Sequence, residues 1–122
     1  MERNKDIVQV RRRAANKMAR KSLSRSKAFI NKDKGQFYQE VLKGLWGYLG
    51  MKLSVDVADL SKESIRKSLA DKSVSEDAIN TMMSLLDKCE FAQYAPSGPE
   101  GEMTEVYRAS LDLIGKIENE IT

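Results

Sequence analysis

A chain of 122 residues, 41% apolar and 32% charged, holds one hydrophobic core with wide solvated faces. Its seven Gly and two Pro are too few for a disordered or turn-dominated all-β chain. With no histidine and one cysteine, Cys89, the chain excludes Ser-His-Asp triads, Cys-His dyads, zinc sites that use histidine or several cysteines, and an internal disulfide.

The net charge of +3 conceals a division. Residues 1–34 carry twelve Lys/Arg against three Asp/Glu, a net of +9; residues 35–122 carry nine against fifteen, a net of −6. A basic head on an acidic body is expected to meet something anionic.

The first segment, about Lys5 to Asn31, lacks Pro and Gly and is rich in Ala, Arg and Lys. A stripe through Val8, Ala15, Met18, Ala19, Leu23, Ser26, Phe29 and Ile30 is weakly apolar at first and strongly apolar near its end. This predicts one long helix whose C-terminal half packs on the body, stopped at Asn31-Lys32-Asp33-Lys34-Gly35. The second segment, about Gln36 to Met51, places Tyr38, Val41, Leu42, Leu45 and Leu49 on one face, with Phe37, Trp46 and Tyr48 at its flanks. Gly44, Gly47 and Gly50 each weaken a helix by about 0.5–1 kcal/mol relative to Ala, which points to close approach of the first helix. These two segments read as an antiparallel hairpin.

Leu53 to Val57 alternates briefly and reads as an extended connector. Two helices then share one entry device. Ser61 and Ser75 are N-caps, flanked by Leu60 and Ile65 and by Val74 and Ile79, with acids in the first turn. The spacing predicts a short helix over Lys62–Asp71 with Ile65 and Leu69 inward. A longer one over Glu76–Phe91 has Ile79, Met82, Met83 and Leu86 inward and Cys89 at the edge of the stripe. After the Ala95-Pro96-Ser97-Gly98-Pro99 loop, Met103, Val106, Tyr107, Ser110, Leu113, Ile114, Ile117 and Ile121 mark a fifth helix over about Glu100–Glu120. The expected fold is a single all-α domain over residues 1–122 with about five helices: an N-terminal antiparallel hairpin followed by a three-helix part.

The main functional candidate is the basic run Arg11, Arg12, Arg13, Lys17, Arg20 and Lys21, continued by Arg25 and Lys27. It is compatible with a helix lying against anionic lipid headgroups, with phosphate contacts to nucleic acid, or with a plain solvated face. The run holds no aromatic residue for base stacking except Phe29, which belongs to the core stripe; that weighs against nucleic acid. Cys89 lies at a helix C-terminus between Asp87, Lys88 and Glu90, a poor setting for a thiolate, and is expected to be structural and half-buried. Glu100, Glu102 and Glu105 read as complements to a helix dipole, and the Trp46-Gly47-Tyr48 stretch as packing rather than a ligand pocket. No phosphate loop, nucleophile elbow or calcium loop is present, so neither catalytic residues, nor a cofactor, nor a metal are expected. No window approaches the roughly 18 apolar residues of a membrane-spanning helix, and no apolar signal segment opens the chain.

The string Phe37-Tyr38-Gln39-Glu40-Val41-Leu42-Lys43-Gly44-Leu45-Trp46-Gly47-Tyr48-Leu49, followed by Lys52-Leu53, resembles the C-terminal region of the BatD family of aerotolerance-operon membrane proteins. The likeness continues through Leu60-Ser61 and Val74-Ser75 to Leu85-Leu86-Asp87-Lys88-Cys89-Glu90-Phe91-Ala92-Gln93-Tyr94-Ala95-Pro96. Upstream, residues Arg13 to Lys21 resemble the basic helix that follows the family's transmembrane segment. The chain departs from the pattern at Gly44, where Ala is usual, and at Gln93, where Arg is usual. The resemblance implies a parent with periplasmic β-sandwich domains and one transmembrane helix, with this piece on the cytoplasmic face of the bacterial inner membrane. It implies partners among MoxR-type ATPases and von Willebrand A-type membrane proteins in an oxidative-stress system, and no catalytic residues. On that reading the domain binds proteins, with Arg11, Arg12, Arg13, Lys17, Arg20 and Lys21 near the membrane surface as the positive-inside rule requires; the alternative is a nucleic-acid-binding helical module.

Overall fold

The computed structural model describes residues 2–96 and 98–121; the side chains of residues 2–13 and of Val57 lie outside the description, and with them Val8 of the predicted stripe. The described residues form five α-helices and no strand: α1 (Glu2–Lys27), α2 (Lys34–Lys52), α3 (Lys62–Asp71), α4 (Glu76–Ala92) and α5 (Glu102–Glu120), with one 3-10 turn, Val57–Asp59, before α3. The segment read as an extended connector therefore holds a turn at Ser54, which takes φ 55°, and this short helical turn.

Each helix boundary has a local cause. Asn31 takes a left-handed φ of 61°, which ends the chain's first helical course. Asp33 then starts α2, its side chain accepting from the Gln36 amide at 3.1 Å. Ser61 accepts from the Ser64 amide at 3.1 Å while the Ser61 amide donates to the Ser64 hydroxyl at 3.0 Å, so the two residues cap each other reciprocally. Ser75 caps α4 through the Ala78 amide. Gly101 precedes α5 at φ 85°, a conformation that a side chain would strain.

The helices share one core. α1 lies along α2, antiparallel to it, with Gly44 beside Ser22 and Gly47 beside Met18. α4 and α5 pack on α2 and on each other, α5 also touches α1, and α3 covers part of α4. α2 thus has three α-helical neighbours and is buried more widely than one stripe would be. Phe37 and Tyr48, read as flanking residues, are sealed along with Tyr38, Val41, Leu45 and Leu49, whereas Leu42 is only half-buried. Along α4 the burial also widens: Ala78, Leu85 and Cys89 join Ile79, Met82 and Leu86, and Met83 is half-buried. Cys89, expected at the edge of its stripe, is fully enclosed.

Gly44 and Gly47 have the packing reason their spacing suggested. A Cβ on Gly44 would stand 3.0 Å from Ser22 Cβ and 3.6 Å from the Ala19 carbonyl oxygen, and one on Gly47 would meet the Met18 methyl at 2.6 Å. The Met18 tip can swing aside; Ser22 Cβ moves only with its helix. Gly115 in α5 is the contrast, since a Cβ there meets nothing within 4 Å.

Two substitutions should therefore part in sign. Gly115→Ala removes only backbone freedom from the unfolded chain and should raise stability by about 0.5–1 kcal/mol. Gly44→Leu forces α1 off α2 and should lower it by about 1–3 kcal/mol. Urea midpoints at constant m-value check both.

Candidate interaction surfaces

The face that α1 shows outward is set by the face it hides. Ala15, Ala19, Ser22, Leu23 and Ser26 are buried against the body, the Ser26 hydroxyl satisfied by its own helix at the Leu23 carbonyl. Helical geometry then directs residues between these positions to solvent. Lys17, Arg20 and Lys21 are exposed there, and so are Arg25 and Lys27 one to two turns further on. Arg20 Nε donates to Asn16 Oδ1 at 3.0 Å, an i to i−4 bond along the helix. Arg11, Arg12 and Arg13 continue α1 toward its start, but their side chains lie outside the described residues.

Four lysines of the acidic body are held in ion pairs within it. Among the described residues Lys52 pairs with Glu118 between α2 and α5, Lys62 with Asp87 and Glu90 between α3 and α4, Asp77 with Lys116 at 2.7 Å and Lys88 with Glu102 at 3.5 Å between α4 and α5. None of these pairs involves α1, and the exposed cations from Lys17 to Lys27 have no acidic partner among the described residues. A cation held on a surface without a counter-charge keeps its Coulomb interaction available for something that arrives.

One body pair is sequestered. Lys52 is 6% exposed, and its partner Glu118 also accepts from the Tyr48 hydroxyl at 3.1 Å. Burial, and then the Glu118 carboxylate, push the Tyr48 phenol far above its ordinary range, so it stays a donor. Sequence reasoning missed this cluster. Tyr48 and Lys52 are one turn apart on α2, but Glu118 lies seventy residues from Tyr48, and no short-range pattern joins them.

A second surface lies where α1 turns into α2. A cleft of about 490 Å³ separates that turn from the loop between α4 and α5. Asn31, Lys32 and Lys34 form one wall and Ala95, Pro96, Gly98, Pro99 and Glu100 contribute to the other, with Tyr38 and Met103 among the lining. Phe91 stands at its side and is 75% exposed; Tyr94, one turn on, is 86% exposed. Phe91 and Tyr94 belong to the string that carries the family resemblance, and nothing in that string shows that the two rings face water. The available signal was that Phe91 falls off the buried stripe of α4 and that Tyr94 lies beyond the end of that helix.

Cys89 lies deep beside this region. Burial pushes its thiol up to about 12, outweighing the opposing pull of Lys88, so at neutral pH it is a protonated, enclosed thiol. Among the described residues no group of three or more potential metal ligands exists, and no helix is long and apolar enough to cross a membrane. Gly47 of the Trp-Gly-Tyr stretch borders a hollow of about 260 Å³ next to Met18. No family model, curated protein or solved structure matches the chain.

The raised acids predict alkaline sensitivity. Cys89 rises from 9.0 to about 12 and Tyr38 from 10.0 to about 12, each mainly through burial. The folded state therefore holds these protons more tightly than the unfolded state does. That stability is complete below about pH 9 and is lost as pH climbs toward 12. Denaturant midpoints should fall across this window, and Cys89→Ala should flatten the fall. At neutral pH a thiol-exchange reagent should modify Cys89 only at the rate of unfolding.

Proposed function

We propose that this chain is a non-catalytic protein-interaction domain at the cytoplasmic face of a bacterial inner membrane, part of a single-pass protein in an aerotolerance and oxidative-stress system. One observation carries the reading: Lys17, Arg20 and Lys21 stand together, exposed on one face of α1 without acidic partners among the described residues, while Lys52, Lys62, Lys88 and Lys116 of the body are held by body acids. Anionic headgroups draw such cations at about 1 kcal/mol each near the surface. The resemblance of Phe37 to Leu53 and of Leu85 to Pro96 to the BatD family supplies the cellular setting. In that setting Arg11, Arg12, Arg13, Lys17, Arg20 and Lys21 rest on the membrane, and the acidic body is left for a MoxR-type ATPase or a von Willebrand A-type membrane protein. The enclosed, protonated Cys89 argues against a thiol sensor.

The same cations would serve a nucleic-acid-binding module, and salt dependence separates the two readings. Titration with vesicles containing phosphatidylserine or phosphatidylglycerol, and with duplex DNA, at two salt concentrations should show vesicle binding that exceeds DNA binding. Lys17→Glu, Arg20→Glu and Lys21→Glu should each weaken vesicle binding by roughly fivefold or more, leaving the thermal midpoint unchanged because all three are exposed. Steeply salt-dependent DNA binding with no vesicle binding would replace the membrane reading with the nucleic-acid one.

A further inference from the structure

The cleft at the α1–α2 turn carries both halves of an interface. It has a hole of about 490 Å³ with Phe91, 75% exposed, in its lining; Tyr94, three residues further along the chain, is 86% exposed. Its walls differ in sign. Lys32 and Lys34 stand on the turn, and Glu100 stands on the opposite loop; none of the three has an ion-pair partner among the described residues. Glu102, also on that side, is held by Lys88.

A partner segment of a single sign would meet repulsion at one wall. An acidic one is opposed by Glu100, a basic one by Lys32 and Lys34. What the cleft requires is a surface with an apolar ridge, an anion on one side of it and cations on the other. The chain presents such a surface in the cleft itself. When two of these clefts face each other about a two-fold axis running along them, the lysine wall of each copy stands over the Glu100 wall of the other, and the aromatic ridges meet between. An axis running across the cleft would set like charge against like. We propose that this face pairs two copies of the chain about the lengthwise two-fold axis, with Phe91 and Tyr94 as the apolar anchors and Lys34 opposite Glu100 of the second copy as the rim contact.

The interface is isologous, so each rim contact occurs twice. A large aromatic ring buries 150–250 Å² when enclosed, so the two rings supply on the order of 300 Å² per copy. A standard interface buries about 800 Å² per partner. The pairing is accordingly weak, and its detection needs concentrations from micromolar to millimolar.

Sedimentation equilibrium of the 122-residue chain should show the mass rising with concentration from 13.8 kDa toward twice that value. Phe91→Ala should weaken the pairing by roughly tenfold or more, with an unchanged thermal midpoint because the ring is exposed. Lys34→Glu alone and Glu100→Lys alone each set like charges together at both rim contacts and should stay monomeric where the wild-type chain pairs. An equimolar mixture of these two variants restores both contacts and should pair again. A wild-type chain that remains monomeric to millimolar concentration overturns the proposal, as does a dimer indifferent to Phe91→Ala or a mixture that fails to recover. A monomer whose binding to anionic vesicles drops with Phe91→Ala would reassign the aromatic ridge to the membrane. This assay reads self-association, so its outcome is independent of whether α1 binds a bilayer.

Discussion

The contact between α1 and α2 governs what the rest of the molecule can present. α1 approaches α2 closely because Gly44 has no side chain where Ser22 and the Ala19 carbonyl arrive, and because small residues, Ala15, Ala19, Ser22 and Ser26, form the hidden face of α1. An Ala at position 44 would place its Cβ 3.0 Å from Ser22 Cβ, so the glycine here is matched to this helix spacing. With that face fixed, the rotation of α1 about its own axis is fixed as well. Lys17, Arg20 and Lys21 are then held in solvent by the packing on the opposite side of the helix. The display of positive charge is a consequence of core packing, and anything that loosens the crossing would also scramble the display.

Charge pairing reinforces this division. Every ion pair among the described residues joins helices of the acidic body, α2 to α5, α3 to α4, and α4 to α5. Exposed pairs such as Asp77 with Lys116 add little to stability, since water and salt screen them. Their larger effect is to occupy Lys62, Lys88 and Lys116 of the body. The buried Lys52–Glu118 pair differs: both groups leave water together, and the Tyr48 hydroxyl satisfies part of the carboxylate.

The features legible in the sequence were those with local causes. Ser61 and Ser75 announced α3 and α4 because an N-cap is a property of four consecutive residues, and the span Lys62–Asp71 is reproduced to the residue. The glycine spacing of α2 announced close helix contact because glycine inside a helix is unfavourable unless something needs the room. The widened burial of α2 was not legible. A hydrophobic stripe identifies one buried face, whereas α2 is covered by α1, α4 and α5, so Phe37 and Tyr48 are enclosed from sides the periodicity does not register. Cys89 was placed half-out for the same reason; it lies near enough to Tyr38 on α2 to affect its titration. The exposed ridge of Phe91 and Tyr94 and the buried Lys52 cluster depend on which loops and helices meet in space, and a linear pattern carries little of that.

The lopsided placement of charge has an effect that precedes any contact. With +9 on residues 1–34, −6 on residues 35–122, and α1 laid along one flank of α2, the molecule is a permanent electric dipole. Near a uniformly charged plane such a body feels a torque as well as an attraction, over a range set by the Debye length of about 10 Å in ordinary salt. It would be turned before it is captured, arriving with the same side down each time, so that orientation at the surface is decided by long-range electrostatics and not by the geometry of a binding pocket.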